Sequence, residues 1–85
     1  MKINFKVRHL YIIEYRFYDK DSNQWIRRTS SEGYTDIEEA RNFCRERTHN
    51  EEGVTDNPMY YQNIADGTFE EYYIRDITFK DFSNE

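Results

Sequence analysis

From Ile3 onward apolar residues alternate with polar ones: Ile3, Phe5 and Val7, then Tyr11, Ile13, Tyr15 and Phe17, with His9 the interruption. A period of two is the mark of a strand with one buried face. Lys2, Asn4, Lys6, Arg8, Glu14 and Arg16 fall on the opposite face, where Leu10 and Ile12 add an apolar middle. The pattern runs for about 15 residues where strands usually run to 5–6, so a bend or bulge near Arg8 and His9 is expected, with the first residues forming a separate edge. The polar cluster Asp19-Lys20-Asp21-Ser22-Asn23 reads as a turn, and residues 24–30, with Trp25, Ile26 and Thr29, as the second strand of a hairpin.

Gly33 breaks that pattern. Thr35-Asp36-Ile37-Glu38 then matches a capping box, with Thr35 as the cap and Glu38 reaching back to it. A helix is predicted over 36–47, with Ile37, Ala40, Phe43 and Cys44 as its apolar stripe. Asp36, Glu38 and Glu39 stand in its first turn and Arg41, Arg45 and Arg47 follow, an order that suits the helix dipole. Residues 48–58 are polar and turn-rich, and read as a mobile or binding loop. A third strand is expected over 59–64, a tight turn at Asp66-Gly67 and a fourth strand over 69–82. Thr68-Phe69-Glu70-Glu71 imitates a second capping box, but Tyr73, Ile74, Ile77, Thr78 and Phe79 favour the strand. Residues 82–85 are expected to fray. The fold class is α+β: one domain over 1–85, in the order β-β-α-β-β, with a small antiparallel sheet of four strands and the helix packed on one face.

Composition explains how so polar a chain can fold. It has 85 residues and only 36% hydrophobic positions, yet eight Tyr, six Phe and one Trp supply large buried areas from few residues. The longest apolar run, Leu10 to Ile13, is far short of the roughly twenty residues a membrane span needs, and no signal segment opens the chain. With Cys44 the single cysteine, no internal disulfide can form, and a reducing cytoplasmic setting is expected.

Candidate chemistry is sparse. Asp19, Asp21 and Asn23 match the opening of a calcium-binding loop, but Gln24 stands where glycine is needed and Ser30 where a bidentate glutamate is needed. Cys44 and His49 suggest a thiolate–imidazole pair, but Cys44 lies on the helix's apolar stripe, where a free cysteine packs as a small hydrophobe. His9, His49 and Cys44 have no zinc-like spacing, and Gly33, Gly53 and Gly67 form no phosphate-binding loop. No catalytic residues, metal or cofactor are assigned, and the expectation is a non-enzymatic protein.

Charge is more informative. Residues 1–30 carry seven basic and three acidic side chains, +4, whereas residues 48–85 carry two basic and nine acidic, −7. The first reading is an acidic protein-binding module that presents Glu51, Glu52, Asp56, Tyr60, Tyr61, Glu70, Glu71 and Asp76 to a partner with a basic surface. In size, acidity and lack of motifs the chain resembles the small inhibitors that phages and mobile elements direct against host defence nucleases, anti-CRISPR proteins among them. That resemblance is one of type, implies nucleic-acid mimicry and assigns no residue a role. The alternative is a small single-stranded nucleic-acid-binding domain using the basic, aromatic hairpin over 8–30, with Arg16, Trp25, Arg27 and Arg28 as its contacts. An open sheet face rich in aromatics, around Tyr60, Tyr61, Tyr72 and Tyr73, is also read as a surface for a homodimer or another partner.

Overall fold

The computed structural model describes residues 3–65 and 68–84, with side chains for 7–64 and 68–79. Four antiparallel strands, β1 (Ile3–Asp19), β2 (Gln24–Tyr34), β3 (Tyr60–Ala65) and β4 (Thr68–Asn84), form one sheet in the order β2-β1-β4-β3, and helix α1 (Ile37–Thr48) lies between β2 and β3 in the chain. This is the small α+β fold the periodicities predict, including the strand over the second capping-box sequence. The Asp66-Gly67 turn lies outside the described residues.

The alternation in β1 decides what each face carries. Tyr11, Ile13 and Tyr15 stand opposite Asp76, Ile74 and Tyr72 of β4, and Tyr72 in turn opposes Tyr61 of β3. The helix covers this face. Ile13, Ala40, Cys44, Tyr61, Tyr72 and Ile74 form the buried core, with Tyr11, Tyr15, Tyr34, Phe43 and Met59 packed around it. Aromatic bulk does the filling: Tyr15 stacks on Tyr72 at 5.4 Å, and the rings of Phe43 and Tyr72 meet edge-on. The phenol of the fully buried Tyr61 accepts from Arg41 Nε at 2.9 Å, so this large side chain is buried with its polar end satisfied.

Local details differ from the sequence expectation in five places. The irregularity in the first hairpin is not at Arg8 and His9, where β1 and β4 pair without a break; it lies where Ile12 pairs with Gly33 but Glu14 pairs with Thr29, so that β2 carries the extra residues. Ser30 stabilises this bulge, its Oγ accepting from the Ile13 amide and donating to the Glu32 carbonyl. Gly33 therefore sits within β2 rather than ending the pattern; a Cβ there would meet Leu10 Cδ1 at 2.7 Å. The helix cap is Asp36, not Thr35: its carboxylate accepts from the Glu38 amide at 2.9 Å, and the helix starts one residue later than the capping-box reading puts it. At the chain's end residues 82–84 do not leave the sheet but pair with residues 3–5.

Residues 50–59 turn tightly. Gly53, at φ +85°, is buried where a Cβ would lie 2.1 Å from the Asn57 carbonyl oxygen, and the Val54 amide donates to Tyr60 while the Asn57 amide donates to Val54. This knot fixes where β3 begins. The molecule measures 61 × 26 × 18 Å because β1 and β4 continue together past both neighbours: β2 pairs with β1 only from Tyr11, and β3 pairs with β4 only as far as Tyr73.

Candidate functional site

Register alone places the second set of side chains on the uncovered face. Arg16 of β1 stands opposite Glu71 of β4 and Arg27 of β2; Glu14 stands opposite Tyr73 and Thr29; Tyr18 stands opposite Trp25; and Tyr60 of β3 stands opposite Tyr73. The helix does not reach this face. Its centre is Glu71, buried at 4% exposure although it lies on the open side of the sheet. Arg16 donates to Glu71 through Nε at 2.8 Å and Nη2 at 2.6 Å, Tyr73 donates through its phenol at 2.6 Å, and the Tyr60 phenol donates to the same carboxylate oxygen as Tyr73. Tyr60 and Tyr73 stack at 4.8 Å, which aims both hydroxyls at one point.

The electrostatics follow from that convergence. Burial by itself would raise the Glu71 pKa, but hydrogen bonds from Tyr60, Tyr73 and Arg16 outweigh it and hold the carboxyl below its ordinary range. The reciprocal effects keep the donors protonated: burial and then the Glu71 bond raise Tyr60, the Glu71 bond and then burial raise Tyr73, and the Glu71 bond raises Arg16. Glu71 is thus a fixed anion that holds Arg16 in place. The Arg16 guanidinium lies 4.5 Å over the Trp25 ring, and Trp25 is held edge-on by Tyr18 and Phe69. Trp25 keeps 42% of its surface exposed.

Beside this platform an open cleft of about 520 Å³ runs along the β1–β2 seam, bordered by Glu14, Arg16, Arg27, Thr29 and Tyr73. It adjoins the bulge in β2, and bulges often re-aim side chains next to binding sites. Arg27 directly opposes Arg16, an unfavourable like-charge pairing that Glu71 moderates by neutralising Arg16. Among the described residues Arg27 makes no ion pair. Glu14 is held by Arg75 at 3.0 Å.

Of the hairpin residues singled out by sequence, Arg16, Trp25 and Arg27 share this face, whereas Arg28 stands opposite Tyr15 on the helix side by register, although it too borders the cleft. The acidic set is distributed differently. Glu51, Glu52 and Asp56 are exposed in the segment after the helix, Tyr61 is fully buried in the core, and Tyr60 and Glu71 belong to the cluster just described. Glu70 stands on the helix side opposite Phe17, and Asp76, also on that side, accepts from His9 Nδ1 at 2.9 Å. The structure does not bring these eight into one surface. Sequence reasoning passed over Glu14 and Arg75 as site members; the available signal was strand parity, which puts Glu14 in step with Arg16 and Arg75 in step with Glu71.

The other motifs resolve into structural roles. Asp19 accepts from the Asp21 amide and the Ser22 hydroxyl, so its oxygens organise the hairpin turn. Cys44 is fully buried and burial pushes its thiol up to about 12, which keeps it protonated and unreactive at neutral pH. His49 closes the helix in the left-handed conformation at φ 56°. Among the described residues no helix is long and apolar enough to cross a membrane. No protein-family model, curated protein or solved structure matches the chain.

Proposed function

We propose that this protein is a non-enzymatic binding module that holds single-stranded nucleic acid on the uncovered face of its sheet. The observation that carries the reading is the shared face of Trp25, Tyr73, Arg16 and Arg27: an exposed aromatic ring fixed by its neighbours, with a free guanidinium alongside. Bases stack on such rings whatever their identity, and arginine meets the phosphates. Charge favours the same side. Among the described side chains, Arg8, Arg16, Arg27 and Arg75 against Glu14 and Glu71 give this face +2, while residues 31–56, with eight acidic and three basic side chains, carry −5. The protein's overall acidity therefore sits mainly away from the proposed interface.

Trp25 is the only tryptophan, so its fluorescence reports directly on the face. Titration with a single-stranded oligonucleotide should give saturable quenching, and a labelled oligonucleotide should show Trp25→Ala weakening binding by about tenfold, the scale of one base–aromatic stack. Arg27→Gln should weaken it several-fold, whereas Arg47→Gln on the helix should leave it unchanged. If folded protein gives no response, and retains from nuclease-treated lysate a protein that high salt releases, the acidic protein-binding reading replaces this one.

A further inference from the structure

The cleft on the β1–β2 seam has an anion in it as well as cations, and that combination narrows the ligand. We infer that it is a seat for one ribonucleotide unit of the bound strand, with Arg27 taking the phosphate and Glu14 accepting from the ribose 2′-hydroxyl. This inference rests on the nucleic-acid reading above and makes it specific to RNA.

Three observations lead there. The cleft's volume, about 520 Å³, falls in the range of small-ligand sites, which suits a single nucleotide and is too small for a duplex. Its cations have unequal roles: Arg16 spends Nε and Nη2 on Glu71 and sits over the Trp25 ring, and Arg28 borders the cleft from the helix side of β2, whereas Arg27 stands on the open face with its donors unengaged. A phosphate between β1 and β2 would also relieve the Arg16–Arg27 opposition.

Glu14 supplies the third. It lines the same cleft, and one oxygen of its carboxylate, Oε1, accepts from Arg75 Nη1 at 3.0 Å, which leaves Oε2 to accept again. A carboxylate repels phosphate but is a strong acceptor for a neutral hydroxyl. Glu14 pairs with Thr29, two residues along β2 from Arg27, so the two are diagonal cross-strand neighbours at about 7–8 Å. Allowing for side-chain reach, that spacing suits two groups on one nucleotide, a phosphate at one end and a sugar hydroxyl at the other. Deoxyribose has no donor at that position, and leaving the acceptor unmatched lowers affinity.

The test uses the intact protein with oligouridylate and oligodeoxyuridylate of equal length, which differ only in the sugar. The ribose form should bind about tenfold tighter. Glu14→Ala should abolish the difference by weakening the ribose form relative to the deoxy form, while Arg75→Gln, which breaks the ion pair but keeps the acceptor, should retain a preference. Circular dichroism checks that the variants are folded; Glu14 and Arg75 are both surface side chains, so neither change removes core packing. Equal affinity of the wild-type protein for the two strands overturns the inference while leaving the nucleic-acid reading intact, as does a ribose preference that survives Glu14→Ala. Binding of neither strand overturns both. Competition by uridine monophosphate separates the sources of the ligand: displacement by the ribonucleotide and not its deoxy counterpart shows the seat working without the rest of the strand.

Discussion

At the scale of single residues, Glu71 is where stability and the proposed interface meet. It is a buried carboxylate with its charge fully engaged by Arg16, Tyr60 and Tyr73. Replacing it with glutamine should cost about 2 kcal/mol, the scale of charged hydrogen bonds lost from a buried site. The sign of the pH dependence follows from its lowered pKa. In the unfolded chain the carboxyl takes up its proton at the ordinary value, and in the folded protein only at a lower one. Its contribution is therefore complete above the ordinary carboxylate range and is lost as pH falls through that range toward the folded value. Urea unfolding of wild-type protein and Glu71→Gln at neutral and acid pH should show a gap that narrows as pH falls; a gap that stays constant would mean the group makes no pH-linked contribution. Reversing the charge of Glu71 is a poor test of an acidic surface, because it would set two cations against each other beneath Trp25.

At the scale of elements, the long pairing of β1 with β4 divides the sheet into two mechanical parts. Residues 11–17 and 70–76 are flanked by β2 or β3 and covered by α1 along much of their length, whereas residues 3–10 and 77–84 form a ribbon of two strands alone, extending about 27 Å at the usual rise per residue. Two strands without a covered face are marginal in water, and here Val7, Ile77 and Phe79 remain substantially exposed. Hydrogen exchange should therefore protect the amides of Ile13 and Ile74 to near the global unfolding free energy, while amides in 3–10 and 77–84 exchange by local opening. Equal protection would mean that the ribbon is covered in solution. Much of this architecture was legible in advance because strand and helix periods are local: Ile13, Tyr15, Ala40 and Cys44 stand where their spacing puts them. Arg16 and Glu71 were not legible as a pair. They are separated by 55 residues, and their meeting depends on a register set by the whole ladder. Nor could spacing show that neighbouring tyrosines diverge, Tyr60 to the open face and Tyr61 to the core, until parity was fixed by pairing with Tyr73 and Tyr72. The exchange of Thr35 for Asp36 as helix cap was a one-residue ambiguity between two competent capping side chains.

At the scale of the whole molecule, an acidic protein with a mildly basic sheet face should respond to salt in a distinctive way. Only a few phosphates can be neutralised by a face with +2, so affinity for a single strand should fall gently with salt, with a logarithmic slope on the order of −1 to −2. The remaining acidity acts at a distance. Glu51 and Glu52 are exposed beyond the helix, outside the uncovered face, and can affect a bound strand only through the long-range field. That field reaches about 30 Å at 0.01 M ionic strength and about 8 Å at 0.15 M. The double change Glu51→Gln, Glu52→Gln should accordingly raise affinity for oligouridylate a few-fold at the lower salt and leave it unchanged at the higher, measured by anisotropy under both conditions. Loss of affinity at either salt would show that these carboxylates touch the strand or hold the face in shape, and unchanged affinity at both would remove long-range repulsion as a factor. The same variant bears on the acidic protein-binding reading, for which Glu51 and Glu52 are contacts: there the change should slow association with the protein partner at low salt. The two readings therefore predict opposite signs for one substitution, because the same carboxylates repel one kind of partner and attract the other.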